Sequence, residues 1–218
     1  MTIICAATWV ITAIQPENFQ AWALEQIASI LGIGSLWFIS RHAQLSLIAL
    51  SGLTFLFVAH AIGTHHTYSM TPYDGATEYL FGFSLNETFG WQRNHYDRFV
   101  HLIFGVTASI PLYQIFFSQL KCSNSIAWFL SLNIVVSLSA AYELLEWFAA
   151  LVFSPETGDP YLGSQGDIWD AQADIAIAGL GALLVCMTWR TAKYIRDHRE
   201  FNIHFTTMAP EPPKFGNQ

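Results

Sequence analysis

Long apolar stretches without acidic or basic residues are the feature that most constrains this chain. Ser125–Tyr142 carries no acidic or basic side chain, and in Ala43–Ile62 the only such side chain is His60. A helix rises ~1.5 Å per residue, so each stretch nearly matches the ~30 Å hydrocarbon core of a bilayer. Helices satisfy their backbone hydrogen bonds internally, as a segment in lipid must. Both stretches are therefore predicted to be spanning helices.

Further apolar segments extend this pattern to a bundle. Phe99–Leu120, Ala173–Trp189 and Ala21–Ser40 are interrupted only by isolated polar residues. Thr2–Ile14 is shorter than the hydrocarbon core, so it is a short span, a re-entrant piece or the remainder of a longer helix. Charged residues make up 11% of the chain, against roughly 25% in a typical soluble domain. We expect an all-α, polytopic transmembrane bundle of about six helices.

A single transmembrane domain, residues 1–199, accounts for nearly the whole chain. Its predicted helices are 2–14, 21–40, 43–62, 97–120, 125–152 and 170–189. The tail 200–218 is rich in proline and polar residues near its end, and it is expected to be disordered and cytoplasmic.

The basic residues orient this bundle. Arg41 and Lys121 lie between predicted helices, and most of the remaining basic residues follow the last helix. By the positive-inside rule these places are cytoplasmic, which puts both termini inside and requires six spans. The opposite connections carry mainly acidic residues. Residues 63–92 and 155–166 are therefore predicted to be external.

Ionisable residues on three predicted helices fall at one end of the bundle. Counting ~20 residues from each cytoplasmic boundary places His101, Glu146 and Asp170 near one plane at the outer membrane boundary. Glu143 and Asp174 lie about one turn deeper. Intramembrane carboxylates are costly and usually face a bundle interior or a water-filled cavity. The candidate catalytic residues are Asp97, His101, Glu143, Glu146, Asp167, Asp170 and Asp174.

These residues also have the composition of a metal site. They are spaced three or four positions apart in pairs, so the members of a pair can point the same way. Carboxylate oxygens favour Mg, Mn or Ca, and histidine nitrogens admit Zn or Fe, so a divalent metal ion of open identity is the expected cofactor. The candidate ligands are His101, Glu143, Glu146, Asp170 and Asp174, with His65 or His66 as additional candidates.

Structural roles are open for some of the same residues. Asp97 and His101 can form a hydrogen bond that does not involve a metal. An aspartate at the start of the last helix can cap it. Glu25, taken alone, is expected to be an interfacial group that reaches water.

Several long motifs resemble a known family. They are Gly63–Tyr68, Arg93–Arg98 with His101, Ala141–Trp147 and Tyr161–Asp174. At these motifs the sequence resembles the YjdF-like family of bacterial multi-span inner-membrane proteins. The order Asp, His, Glu, Asp along the last three helices is similar, more weakly, to the VanZ-like membrane family. The resemblance implies a multi-pass inner-membrane protein and supplies no reaction.

The leading functional hypothesis is a metal-dependent membrane enzyme of the hydrolase or phosphotransferase type. It would act at the periplasmic face on a lipid-linked or envelope substrate. Nucleic acid is not expected as a partner; the lipid bilayer is. Two other classes remain open: a transporter or ion channel, because intramembrane acids also form relays, and an assembly or stress factor whose polar cluster only fixes helix packing. Substrate and oligomeric state are left open.

Overall fold

The computed structural model describes residues 1–42, 44–153 and 162–207, and within them it contains helices and no strand. The helices are α1 (Thr2–Thr12), α2 (Phe19–His42), α3 (Leu47–His65), α4 (Tyr73–Phe81), α5 (Leu85–Phe89), α6 (Tyr96–Gln114), α7 (Asn124–Val152) and α8 (Asp170–Thr207). The all-α prediction is confirmed.

Four helices within these ranges are long and apolar enough to cross a membrane. They are Leu47–His65, Tyr96–Gln119, Asn124–Val152 and Asp170–Arg196. The first helix, α1, is apolar but shorter, as the sequence predicted. The backbone of α2 extends over 24 residues, which corresponds to ~36 Å of helix. The chain is therefore a multi-pass helical membrane protein.

Helix α3 begins later and ends later than the predicted 43–62. Ser46 caps it, because the Ser46 hydroxyl accepts a hydrogen bond from the backbone N–H of Ala49 at 3.2 Å. The same hydroxyl accepts a hydrogen bond from Gln114 Nε2 at 2.7 Å, and Ser46 N donates to Gln114 Oε1 at 3.0 Å. These bonds tie the start of α3 to the end of α6, which continues as a π-helix, Ile115–Gln119.

The connection between α3 and α6 contains the short helices α4 and α5. Asp74 accepts hydrogen bonds from the Ser84 hydroxyl at 2.8 Å and from Asn86 N at 2.9 Å. Gly82 and Gly90 end the two helices in the left-handed region, with φ of 77° and 66°, where glycine is favoured. This segment lies at the end of the bundle where the ionisable residues are located. We call that end of the bundle the α4–α5 end.

Helices α6 and α8 are in backbone contact at two glycines. A Cβ atom at Gly181 would lie 2.6 Å from Leu102 O, and one at Gly105 would overlap the carbonyl of Ala178. Small residues let membrane helices approach in this way. His101 precedes Gly105 by one turn and Asp174 precedes Ala178 by one turn, so the contact sets the two ionisable residues side by side.

Replacing Gly105 with alanine tests this packing. Alanine normally stabilises a helix relative to glycine by roughly 0.5–1 kcal/mol, but here its methyl group would push α8 away, at a cost of roughly 1–3 kcal/mol. We expect a lower melting temperature in detergent, measured by circular dichroism. Gly75→Ala is the control, because nothing lies within 4 Å of a Cβ there. A Gly105→Ala protein as stable as the control would contradict the close contact.

The last helix reaches Thr207, well beyond the predicted end at 189. Residues 200–207 of the predicted disordered tail are therefore helical. The remainder, 208–218, lies outside the described residues, as does most of the predicted external segment 155–166.

Candidate functional site

Ionisable side chains from α2, α6, α7 and α8 are buried together at the α4–α5 end. They are Glu25, Asp97, His101, Glu143, Glu146, Asp170 and Asp174. Asp174 is 1% exposed and Glu146 3%. Charges removed from water must be paired, protonated or bound to a metal, because an isolated buried charge is strongly unfavourable. Their neighbours therefore decide what this cluster can do.

His101 is the centre of the cluster. Its Nε2 atom lies 3.0 Å from Glu143 Oε1 and 3.6 Å from Asp97 Oδ1. Its Nδ1 atom lies 3.1 Å from Ser139 Oγ. Asp97, His101 and Asp174 each offer one ligand atom, and these atoms all lie within 4.8 Å of one another. Carboxylates from three helices thus lie around the imidazole of His101.

This arrangement fits a divalent cation. Ligand atoms ~2.1 Å from a metal lie roughly 3.0–3.4 Å apart at octahedral and tetrahedral angles, close to the two Nε2 distances. Glu143 Oε1 and Asp174 Oδ1 are buried without a hydrogen-bond partner. Oxygen atoms in this state have lone pairs available for a cation.

Glu143, and not Glu146, contacts the imidazole of His101. The sequence count placed Glu146 level with His101 because it assumed parallel helices of equal tilt, whereas real spans tilt by different amounts. Glu146 is nevertheless close enough to Asp97, Glu143 and Asp174 to interact with them electrostatically. It is a further buried carboxylate beside the Asp97–His101–Asp174 group.

Asp167 and Asp170 are ion-paired with arginines. Arg93 Nη1 lies 2.6 Å from Asp170 Oδ1 and 3.2 Å from Asp167 Oδ2. Arg98 Nη2 lies 2.5 Å from Asp167 Oδ2 and 3.6 Å from Asp170 Oδ1. Asp167 also accepts a hydrogen bond from the backbone N–H of Trp169 at 2.9 Å, just before α8. Asp170, a predicted ligand, is thus neutralised by arginine in this structure.

A cavity of about 380 Å³ adjoins the cluster. Asp97 and His101 line one end of it, together with a second chain of polar contacts. In that chain His60 Nε2 lies 3.0 Å from Ser29 Oγ, and His60 Nδ1 lies 2.5 Å from the Tyr68 hydroxyl. The polar groups therefore concentrate at the α4–α5 end of the cavity.

The other end of the cavity is mostly apolar, with Ser35 on α2 as a polar lining residue. Its walls include Leu31, Leu53, Phe57, Phe104, Ala108 and Leu138. Along α6, Ala108 lies ~16 Å from Asp97 at 1.5 Å per residue. Among the described lining residues, none of those deeper than His60 and His101 is ionisable. The cavity thus changes from polar to apolar along the bundle.

The family described as predicted membrane protein (DUF2238) matches residues 1–194. The chain belongs to this family. It is 29% identical over 173 residues to the inner membrane protein YjdF of Escherichia coli (strain K12), which covers 79% of this chain and 78% of that protein. No solved structure matches the chain. The resemblance to the YjdF-like family is confirmed, and so is the prediction of a multi-pass protein of the inner membrane.

His65 and His66 lie away from the cluster around His101. His65 Nδ1 is 3.0 Å from the carbonyl oxygen of Thr12, and His66 Nδ1 is 3.7 Å from Glu17 Oε1. Both histidines therefore connect the end of α3 to the segment around the end of α1. We do not include them among the proposed ligands.

Other residues of the site were not predicted from the sequence. Glu25 was expected to reach water, but it is 3% exposed and accepts a hydrogen bond from the Tyr142 hydroxyl at 2.6 Å. Ser139, which lies against His101, is one turn before Glu143 on the same face of α7. That i,i+4 spacing was the available signal, although serine is common in membrane helices and the spacing alone is weak.

The Asp167 ion pairs predict a loss of stability in acid. The N–H of Trp169 and the guanidinium of Arg98 hold the pKa of Asp167 below its usual value. Stabilisation from a lowered carboxyl pKa is fully present above the unfolded pKa and is lost as pH falls through the folded one. We expect the melting temperature of Asp167→Asn to fall less than that of wild type below about pH 4. Glu78→Gln, at an exposed position on α4, is the control, and parallel curves for Asp167→Asn and wild type would contradict the prediction.

Proposed function

We propose that the protein is a divalent-metal-dependent membrane enzyme of the hydrolase or phosphotransferase type. The observation that carries the proposal is the convergence of buried Asp97, His101 and Asp174 within 4.8 Å, with Glu143 at 3.0 Å from His101. Groups of this kind are rare inside membranes and usually functional.

The chain's own residues have distinct roles in this proposal. Asp97, His101, Glu143 and Asp174 hold the cation, and the mixed nitrogen and oxygen donors suit Mn, Fe or Zn better than Ca. The contact with Ser139 favours a proton on His101 Nδ1, which leaves the Nε2 lone pair free to bind. A divalent cation would supply Lewis-acid chemistry at this site.

Glu146 has the proposed role of general base. It is buried near the ligands without contacting His101, so it is a spare carboxylate. A base must lie within reach of the proton it accepts, directly or through one water molecule. Glu146→Gln is therefore expected to preserve cation binding and to lose turnover.

The proposed orientation places the site at the periplasmic face. Both termini are then cytoplasmic and the spans number six, including the short α1. The support is the distribution of charge, because Arg190, Lys193 and Arg196 follow the apolar part of α8, opposite the buried acids. In a cysteine-free background, a membrane-impermeant thiol reagent should label Glu87→Cys in intact cells and should not label Asn217→Cys. Labelling of Asn217→Cys from outside would reverse the orientation.

The apolar cavity favours an enzyme over a transporter or ion channel. A relay for ions or protons needs polar or ionisable groups along its path. The described residues that line the cavity beyond His60 and His101 include Leu53, Phe104 and Ala108, and none of them titrates. The cluster therefore resembles a site open at one face and not part of a charged path.

Metal content and lipid turnover together test the proposal. The full chain, purified in mild detergent and supplied with Mn²⁺, Fe²⁺ or Zn²⁺, is expected to retain about one ion per chain by elemental analysis. Incubation with lipids extracted from its own membranes should give hydrolysis products by mass spectrometry, and a chelator should abolish them. A wild-type chain that retains no divalent ion would refute the metal site. A metal-loaded chain without turnover would refute the enzyme.

A further inference from the structure

We infer that the cavity between α2, α3, α6 and α7 binds one acyl chain of a membrane glycerophospholipid, with the phosphate-bearing head toward Asp97 and His101. The inference rests on the proposed function, since it names the substrate class of the same site. Like an amphiphilic lipid, the cavity has one polar end and one apolar end.

The size of the cavity suits a single hydrocarbon chain. Its volume of about 380 Å³ lies within the roughly 300–1,000 Å³ of ligand pockets. At about 30 Å³ for a water-sized group, it has room for on the order of a dozen methylenes. A whole diacyl lipid would not fit, so the second chain would remain in the bilayer.

The walls select an apolar occupant. Leu53, Phe57, Phe104 and Leu138 offer no hydrogen-bonding side-chain atoms, and a buried water molecule needs two to four polar partners. Hydrocarbon, in contrast, gains dispersion contacts from such walls. The ~16 Å between the levels of Asp97 and Ala108 on α6 gives the cavity an elongated form along the helix axis.

The cavity lies at the edge of the bundle, next to where lipid would be. Its α2 wall includes Leu31, Gly32 and Ile33, whereas Ile27 and Ile30 on the same helix do not line it and are 53% and 68% exposed. Helix α2 is therefore the barrier between the cavity and the bilayer. A chain entering past α2 would come directly from the membrane and would not need to cross water.

Two arginines beside the acidic cluster, although not among the residues that line the cavity, suit a phosphate head. Arg93 Nη2 and Arg98 Nε are buried nitrogen atoms without a hydrogen-bond partner. Arg98 directly follows Asp97 in the sequence, and Arg93 precedes Asp97 by four residues. Guanidinium donors form strong, charge-assisted hydrogen bonds to phosphate oxygens. The unpaired guanidinium nitrogens would donate to a phosphate oxygen, and a metal ion would offset part of the negative charge of the carboxylates and the phosphate.

The test uses the full chain in nanodiscs of phosphatidylethanolamine and phosphatidylglycerol that contain a phosphatidylethanolamine with a photoreactive diazirine midway along one acyl chain. Mass spectrometry after illumination should find the adduct on peptides that contain Phe57 or Phe104. Gly32→Phe is expected to reduce these adducts at least about tenfold, because Gly32 lines the cavity and has nothing within 4 Å of its Cβ position.

Gly34→Phe is the matched control. Gly34 has the same open surroundings but is not among the cavity-lining residues, so its adducts should equal those of wild type. Gly32→Leu is the milder second variant should the phenylalanine impair folding. Equal adducts in the Gly32 variants and wild type, or adducts confined to outward-facing side chains such as Ile30, would overturn the inference. Displacement of the probe by a polyprenyl phosphate and not by added phospholipid would also overturn the phospholipid assignment.

The same samples separate this inference from the proposed function. Cavity adducts in a protein that binds no metal would refute the metal-dependent enzyme and leave the acyl-chain site standing. Metal binding without cavity adducts would overturn the acyl-chain site and leave the metal centre standing.

Discussion

Asp174→Asn is expected to eliminate the thermal stabilisation that a divalent cation gives to the protein in detergent. A ligand at 100 times its Kd stabilises the folded state by about 2.7 kcal/mol. For a chain of this size this corresponds to a rise in melting temperature of roughly 5–10 °C. Asp174 is 1% exposed and its Oδ1 has no hydrogen-bond partner, so the carboxylate has a free lone pair for the metal.

The asparagine preserves the shape of the side chain but removes its charge. Without metal, a buried cluster with one carboxylate fewer has less repulsion, so the variant is expected to be as stable as wild type or more stable. Only the increase on adding Mn²⁺ or Zn²⁺ should disappear. Unchanged or higher stability without metal, together with no increase on adding metal, distinguishes a lost ligand from a general loss of folding.

Two variants serve as matched controls for Asp174→Asn. Glu146→Gln alters a buried carboxylate that does not contact His101, and Asp170→Asn alters one that is paired with Arg93. Both are expected to keep most of the metal-induced increase. An increase in Asp174→Asn equal to that of wild type would remove Asp174 from the ligand set. The absence of any increase in wild type would count against the metal site as a whole.

The spanning helices could be predicted from the sequence because they depend on local composition. A stretch such as Ser125–Tyr142 has no charge to solvate, and within lipid a helix is the available way to satisfy its backbone. Helix ends were less predictable. Helix α3 begins several residues after its predicted start, because Ser46 caps it. A cap depends on a single side chain, which a hydropathy pattern does not detect.

The membership of the cluster was predicted more successfully than its geometry. Intramembrane acids are rare, so Asp97, Glu143 and Asp174 could be identified by type alone. Which carboxylate faces His101 depends on how α7 is offset and tilted relative to α6. Neither helix specifies that offset in its own sequence, so sequence analysis could not choose Glu143 over Glu146.

The role of Asp170 could not be predicted from the sequence either, because it depends on a distant charged residue. Its position at the start of α8 agreed equally with a helix cap and with a metal ligand. Arg93 decides between them, but it lies far away in sequence, before α6. A long-range ion pair has no local signature, although both residues belong to the motifs that the family resemblance identified.

Arg93→Gln is expected to destabilise the protein by about 3–5 kcal/mol, the range for removing one partner of a buried ion pair. The side chains of Arg93 and Asp170 are 13% and 10% exposed, and their charged atoms lie 2.6 Å apart. Without Arg93, Asp170 would keep only the more distant guanidinium of Arg98, at 3.6 Å. Glutamine can still form hydrogen bonds, so the loss of stability would mainly reflect the loss of the positive charge. The measurement is chemical or thermal unfolding in detergent.

A double-mutant cycle completes this prediction. Arg93→Gln/Asp170→Asn removes both charges, so most of the lost stability should return, because no uncompensated charge remains buried. The cation-induced increase in melting temperature should persist in the double variant, since neither residue is a proposed ligand. Failure of the second substitution to restore stability would mean that Arg93 acts mainly through Asp167. A double variant that recovers its stability but no longer responds to metal would return Asp170 to the ligand set.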